Sequence, residues 1–326
     1  MPHVISDLGN GVTMRFDGRT YSFDPRHVLK GSVNLVSHAH ADHVPAAMGN
    51  APIVCSHATL DLIRLRRKKV EGIYERTVTV LEAGHVPGSS MFIVDADHDK
   101  TMYTGDFCTR RKRHIEPATP RQCDVLVMET TYGRPEYEFP RHNDTVDAIR
   151  DWVDAVLRSG SNAVLFAYPL GKAQELCFEL RGYPIRLQGT IAEINRVLAA
   201  HGHELHVTCD VEDHVDKRPF VYITSGLGSE RGKVDSMIED GAKAASFSGW
   251  SLKRFMVRST RRRIETFPLS DHCDFNESME FVRRCGPTKV YTTHGFAREF
   301  ARSVKSELGI DAEPLTTGQE KLDAFV

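Results

Sequence analysis

Ser37-His38-Ala39-His40-Ala41-Asp42-His43 sets three imidazoles and a carboxylate within seven residues. Neutral imidazole nitrogens and carboxylate oxygens are ligands for Zn²⁺ and its borderline neighbours. Four such groups this close are costly to bury without a cation or hydrogen-bond partners. The apolar run Val33, Leu35, Val36 just before them has the β-branched bias of a buried strand. The ligands are therefore expected at that strand's carboxyl end, where the chain turns toward a helix. On that arrangement His38 and His40 point into one pocket, while Asp42 and His43 enter from the turn to serve a second ion. One cluster cannot complete two coordination shells, so the rest of the chain has to supply more ligands.

Working outward, Val12–Phe16, Asp17-Gly18 and Thr20–Phe23 read as a β-hairpin, since Asp-Gly is a strong tight-turn signal. Asp24 follows at the strand end, either as a turn cap or as a group that orients the histidine loop; the second reading is favoured. A helix over Ala58–Lys69 carries Arg64, Arg66, Arg67, Lys68 and Lys69, which fit a solvated helix end as well as a phosphate contact. A strand over Thr77–Leu81 delivers Gly84-His85-Val86-Pro87-Gly88, and one over Lys100–Tyr103 ends in Thr104-Gly105-Asp106. His85 and Asp106 are the ligands that the first cluster lacks. Arg110, Arg111, Lys112, Arg113 and His114 crowd the same stretch and favour phosphate binding there.

Beyond the buried-strand pattern Asp124–Met128 and Glu129-Thr130-Thr131-Tyr132-Gly133 the rhythm changes. Helices are expected over Thr145–Arg158, Gly171–Leu180 and Ile191–Ala200, and strands over Ala163–Tyr168, Phe220–Thr224 and Ala244–Phe247. This alternation implies a parallel α/β sheet with binding loops at its carboxyl edge, in an inserted second domain. Ionisable strand ends then return: Glu265–Leu269 leads into Ser270-Asp271-His272, and Lys289–Thr293 into His294-Gly295, before a helix over Phe296–Leu308.

The 326-residue chain is long enough for a large core, and its 40% hydrophobic and 26% charged composition is that of a soluble globular protein. A net charge of -2 gives no global positive field, so a nucleic-acid surface would have to be a local patch. No run of 18 apolar residues and no cleavable leader is found, and a cytoplasmic location is expected. The 7 cysteines stand singly, without a C-x-x-C pair, and are expected to be reduced thiols.

The order His-x-His-x-Asp-His, a lone histidine after glycine, Thr-Gly-Asp and a final Thr-His-Gly resembles the metallo-β-lactamase fold, an αββα sandwich with a two-metal cleft. Glu129-Thr130-Thr131-Tyr132-Gly133, the inserted α/β domain and Ser270-Asp271-His272 resemble its β-CASP nuclease branch in particular. The resemblance implies a metallo-β-lactamase domain over 1–129 and 264–326 and a β-CASP insert over 130–263. Within the branch, Tyr168-Pro169-Leu170-Gly171-Lys172-Ala173-Gln174-Glu175, Ser248-Gly249-Trp250 and Arg261-Arg262-Arg263 are most similar to small DNA-ligase-associated exonucleases. Archaeal mRNA 3′-end processing factors are similarly close, so the polymer stays open.

By that resemblance His38, His40 and His85 would hold one Zn²⁺, Asp42, His43 and His294 the other, and Asp106 would bridge them, with Mn²⁺ as a possible substitute. His272 is similar to the branch's general acid and Glu129 to the carboxylate that orients it. His294 is absent at the equivalent place in typical crosslink-repair relatives, which favours two occupied metal positions here. Arg110, Arg111, Arg113, Lys172, Ser225, Ser229, Ser248, Arg261 and Arg262 are candidate contacts to substrate phosphates, and Trp250 is either a stacking or a packing residue. The expected activity is two-metal hydrolysis of single-stranded nucleic acid, foremost exonucleolytic on DNA with a 5′-phosphate preference. RNA 3′-end processing, an ester or thioester metallo-hydrolase, and a non-catalytic nucleic-acid-binding subunit are the alternatives. Single-stranded DNA or RNA, a DNA ligase or helicase partner, and a monomeric or homodimeric state complete the expectation.

Overall fold

Burial alternates along residues 12–15 as a half-buried sheet requires, with Val12 and Met14 turned inward, and Tyr21, Ser22 and Phe23 are all buried on the neighbouring strand. A computed structural model describes residues 4–7, 9–16, 18–47, 51–67, 69–96, 99–205, 219–252 and 264–315. β1 (Val4–Asp7), β2 (Val12–Phe16) and β3 (Arg19–Phe23) pair antiparallel, and β4 (Val33–Leu35) and β5 (Ile53–Val54) extend the sheet in parallel. α1 (His57–Arg66) starts at Ser56, whose hydroxyl accepts the Thr59 N–H at 3.0 Å. β6 (Val78–Glu82), β7 (Ser90–Ala96), β8 (Asp99–Tyr103) and β9 (Val125–Glu129) begin a second sheet.

The described residues fall into two compact units, one within Met1–Arg111, Glu116–Glu138 and His272–Val326, the other within Lys112–Ile115 and Phe139–Asp271. The second unit runs α2 (His142–Arg158), β10 (Ala163–Phe166), α3 (Lys172–Glu179), β11 (Ile185–Leu187) and α4 (Gly189–Ala200). It continues with β12 (Val221–Thr224), α5 (Glu230–Glu239), β13 (Lys243–Phe247), a 3₁₀ turn at Gly249–Leu252 and β14 (Ile264–Phe267). All its strand pairs are parallel, in the order β11-β12-β10-β13-β14. Ala163 and Leu165 share one core with α2, α3 and α4, while Val164 shares another with α5, so both sheet faces are covered. Ile149, Val153 and Val156 form the buried stripe of α2 at helical spacing.

The chain returns to the first unit with α6 (Phe275–Cys285), β15 (Lys289–Thr293), α7 (Ala297–Ser303), a π turn at Val304–Leu308 and β16 (Asp311–Pro314). Asp274 and Glu277 close a capping box on α6, and Gly286 ends the helix at φ 58°. The second sheet has the order β16-β15-β9-β8-β7-β6. Its inner face meets that of the first sheet through Phe23, Leu35, Phe92, Tyr103 and Val127. The outer face of the second sheet buries Phe275, Phe281 and Phe300, and the first sheet's outer face buries Ile63 of α1 against Val36 and Ile53. Helix, sheet, sheet and helix thus form four layers, the αββα sandwich expected from the motif order. No helix among the described residues is long and apolar enough to cross a membrane. Cys55, Cys108, Cys123, Cys177, Cys273 and Cys285 are free thiols, and Cys209 lies outside the described residues.

Candidate active site

The ionisable residues of the first unit gather because each follows a strand end. His38, His40 and His43 lie beyond β4, His85 beyond β6, Asp106 beyond β8, and Glu129 closes β9. Gly105 permits the Asp106 turn: at φ +52° it sits so close to Ser37 that an added Cβ would lie 2.5 Å from the serine Cβ. His294 follows β15 at φ 56°, a left-handed backbone uncommon outside glycine.

The donor atoms of His38, His40, His85 and Asp106 all lie within 4.8 Å of one another. Edge by edge, His38 Nε2 is 2.9 Å from His40 Nδ1, which is 3.4 Å from His85 Nε2. Asp106 Oδ2 is 3.8 Å from His38 Nε2 and 3.7 Å from His85 Nε2. Ligands about 2.0–2.1 Å from a tetrahedral Zn²⁺ stand roughly 3.3 Å apart, in the middle of these spacings. The donor set therefore fits one zinc ion.

Toward the second expected position, His43 Nε2 is 3.4 Å from Asp106 Oδ2 and 3.7 Å from Asp42 Oδ2, and its ring centroid is 5.9 Å from that of His294. The structure brings His43 and Asp106 together. Asp42, with a side chain 65% exposed, and His294 stand at the open edge.

Asp24 fixes the orientation of this cluster from behind. Its carboxylate accepts the Ser37 N–H at 2.7 Å, the Ser37 hydroxyl at 2.7 Å and the Tyr103 hydroxyl at 2.9 Å. Nδ1 of His43 lies 2.9 Å from the same carboxylate, and Nδ1 of His38 lies 2.9 Å from Ser37 Oγ. With those nitrogens carrying the protons, both Nε2 atoms turn lone pairs toward the cation position. Asp24 thus has the partners that an orienting group would need, and Ser37 and Tyr103 are contacts that nothing in the sequence pattern assigned. Ser37 lay inside the decisive motif, whereas nothing local marked Tyr103.

The charge states suit the same purpose. Burial drives the His38 imidazole well below its usual range, with His43, His40 and His85 adding to the effect. Burial opposes charge on His43, yet the carboxylates of Asp106 and Asp24 carry its pKa well above the ordinary value. Burial likewise opposes ionisation of Asp106, but His43, then His272 and His85, hold its carboxyl well below the usual range. His43 and Asp106, 3.4 Å apart, favour each other's charged form.

Beside the cluster, Nδ1 of His272 is 2.8 Å from Oε1 of Glu129. Glu129 is buried and accepts backbone N–H groups from Phe107 at 3.4 Å and Thr131 at 2.8 Å. The His272 ring centroid is 4.6 Å from that of His85. A carboxylate locked by two amides and holding one ring nitrogen fixes the tautomer and leaves Nε2 as the reactive edge.

The candidate phosphate contacts separate. Arg110 donates to Glu277 Oε2 at 2.5 Å and to the His272 carbonyl at 2.5 Å, so this guanidinium anchors the histidine turn instead of standing open. Arg111 is exposed, and Arg113 lies 3.9 Å from Glu179 with a side chain 53% exposed. Lys172 pairs with Asp271 at 2.8 Å. The Ser225 N–H and hydroxyl both donate to Gln188 Oε1, at 2.8 and 2.9 Å. Ser229 is exposed, and Ser248 Oγ accepts the Trp250 N–H at 3.2 Å. Arg261, Arg262 and Arg263 lie outside the described residues.

Fold and donor set together define a metallo-hydrolase. Residues 260–313 match the family described as Zn-dependent metallo-hydrolase RNA specificity domain. The chain is 32% identical over 295 residues to a "Probable DNA ligase" of Opitutus terrae, covering 86% of this chain and 28% of that protein. It is 24% identical over 273 residues to cleavage and polyadenylation specificity factor 73 of Drosophila melanogaster, covering 68% of this chain and 40% of that one. The chain thus spans well under half the length of either relative. Its fold is also that of a protein of unknown function from Enterococcus faecalis V583, with a TM-score of 0.63, 11% identity and 97% of both chains covered. The chain belongs to the β-CASP nuclease branch of the metallo-β-lactamase family.

Proposed function

We propose that the chain is a two-zinc phosphodiesterase that degrades single-stranded DNA from a 5′-phosphorylated end. The observation that carries the hydrolytic reading is the convergence of His38, His40, His85 and Asp106 on one cation-sized space, with the His272–Glu129 pair beside it. His38, His40 and His85 would hold one ion, Asp42, His43 and His294 the other, and Asp106 would serve both. When bound, the zinc ions would make water a nucleophile at neutral pH and offset the charge on the phosphoryl oxygens. His272 donates a proton from Nε2 to the departing oxygen, while Glu129 keeps Nδ1 protonated and stabilises the imidazolium beforehand. Asp24, through Ser37 and His43, holds the ligand rings in their productive tautomers.

The DNA reading is supported by the ligase relative, of which this chain corresponds to only 28%. A nuclease segment within a longer protein named as a ligase fits an end-trimming step coupled to strand joining, and a ligase partner for this chain. A specific observation favours a second reading, RNA 3′-end processing. The family matched over 260–313 is described by RNA specificity, and the Drosophila relative is a cleavage and polyadenylation factor.

The deciding experiment incubates the zinc-loaded protein with linear and circular single strands of DNA and RNA, bearing either a 5′-phosphate or a 5′-hydroxyl. The proposal expects progressive shortening of 5′-phosphorylated linear DNA and intact circles. Cutting of circular DNA would overturn the exonuclease reading, and exclusive cleavage of RNA would establish the second.

A further inference from the structure

The sheet of the second unit reverses its winding between two neighbouring strands. From β10 the chain passes through α3 to β11 on one side, and from β12 it passes through α5 to β13 on the other. α3 packs on the face that carries Ala163 and Leu165, and α5 on the face that carries Val164 and Tyr222. Connections leaving on opposite faces open a crevice at the carboxyl ends of the two strands, where parallel sheets bind ligands.

Both lips of that crevice carry a large exposed side chain. Tyr168, just after β10, is 58% exposed, and Leu227, just after β12, is 73% exposed. Among the described residues of this unit, these are the large hydrophobic side chains that stand out in water. Single exposed hydrophobics are ordinary, but their coincidence at the winding reversal gives them a ligand-binding position.

The loops that carry them are built to stay together. Gly226 adopts φ +67° and passes so close to Phe166, the last residue of β10, that an added Cβ would lie 2.5 Å from the phenyl ring. Gln188 Oε1 gathers the Thr224 hydroxyl at 3.1 Å together with the Ser225 N–H and hydroxyl, which fixes the start of the β12 loop. Lys172 Nζ sits 5.9 Å from the Tyr168 ring centroid and 2.8 Å from Asp271, a carboxylate it shares with Lys112 at 3.3 Å. An aromatic face, an aliphatic side chain on the neighbouring loop and a pair of ammonium groups on one carboxylate match a planar base attached to a phosphate.

We propose that Tyr168 and Leu227 form a nucleobase-binding crevice at the winding reversal of the second unit, with the adjoining phosphate directed toward Lys172. The inference rests on the reading of the chain as acting on single-stranded nucleic acid, and it assigns base contact to Tyr168 instead of the sequence candidate Trp250. Stacking is tolerant of base identity, so the crevice would register a strand without reading its sequence.

The test measures fluorescence anisotropy of the zinc-loaded protein with two phosphorothioate strands of equal length and charge, one of thymidines and one of abasic spacers. Tyr168→Ala is expected to weaken thymidine-strand binding by about 5- to 150-fold and to leave abasic-strand binding unchanged. Tyr168→Phe, which keeps the ring, restores binding, and Leu227→Ser shows a smaller loss with the same selectivity. Unchanged zinc content and thermal midpoint confirm that the variants are folded. Equal losses on both strands, or none on either, would overturn the crevice and leave a surface that serves a protein partner or none. If the wild type selects bases through Tyr168 yet hydrolyses neither DNA nor RNA, the nuclease reading fails and the crevice stands.

Discussion

On the proposed reading His272 would serve proton transfer and not metal binding, because its Nδ1 is 2.8 Å from Glu129 and the donor set of His38, His40, His85 and Asp106 does not include it. His272→Ala is expected to keep the zinc content of the native chain and to lower kcat by about 10²- to 10⁴-fold, which metal analysis beside single-turnover kinetics would check. A second residue-scale consequence concerns His114 of the second unit, whose Nδ1 is buried without a hydrogen bond. Burial, then the nearby Lys112 ammonium, push its pKa down to about 3. Unfolding releases it to the ordinary value of about 6.5, so between those values the unfolded chain binds the extra proton. Stability contributed by the neutral ring is therefore present above about pH 6.5 and lost as pH falls toward about 3, at up to about 1.4 kcal/mol per pH unit. Urea midpoints of the native chain and His114→Gln across that window should converge as the pH falls; parallel curves would show that His114 does not titrate this way.

Among the elements, α6 would connect stability to catalysis if His272 acts as proposed. Its cap residue Asp274 accepts the Glu277 N–H at 2.8 Å, and Glu277 also receives Arg110, which in turn holds the His272 carbonyl. Asp274→Ala should cost about 0.5–2 kcal/mol through the lost cap and lower kcat as the His272 turn loosens, while zinc affinity stays normal. Thermal midpoints and turnover read together would check it, and a variant that loses stability with no change in kcat would show that the cap does not reach the histidine. α6 was legible in principle, since Asp274 and Glu277 spell a capping box and Phe275, Met279 and Val282 repeat at helical spacing. The neighbouring Ser270-Asp271-His272 drew the reading to chemistry first. α5 offered a weaker pattern: Val234, Met237 and Ile238 stand at i, i+3 and i+4, but only Val234 is fully buried and the rest of the helix is polar. β11 has only 3 residues, too few for alternation to show.

For the whole molecule, the candidate metal cluster of His38, His40, His85 and Asp106 was legible because each member is a polar residue that follows an apolar run at a strand end. The sandwich was implied by the family resemblance that the order of those residues carries. What the sequence could not supply was the hidden support, Tyr103 on Asp24 and Arg110 on the His272 carbonyl, because those partners are separated from their targets by 79 and 162 positions. Nor could it foresee that His43 lies 3.4 Å from Asp106 and 3.7 Å from Asp42 while its ring centroid is 5.9 Å from that of His294. Ser37 and Asp24 position the His38 and His43 rings, so removal of metal is expected to abolish activity before it unfolds the chain. The most direct measurement is hydrolysis of a labelled single strand while zinc is stripped with a chelator and then titrated back. The account predicts complete loss, then recovery that reaches its plateau at two zinc ions per chain. Hydrolysis that survives chelation, or none on either DNA or RNA at two equivalents, would contradict it.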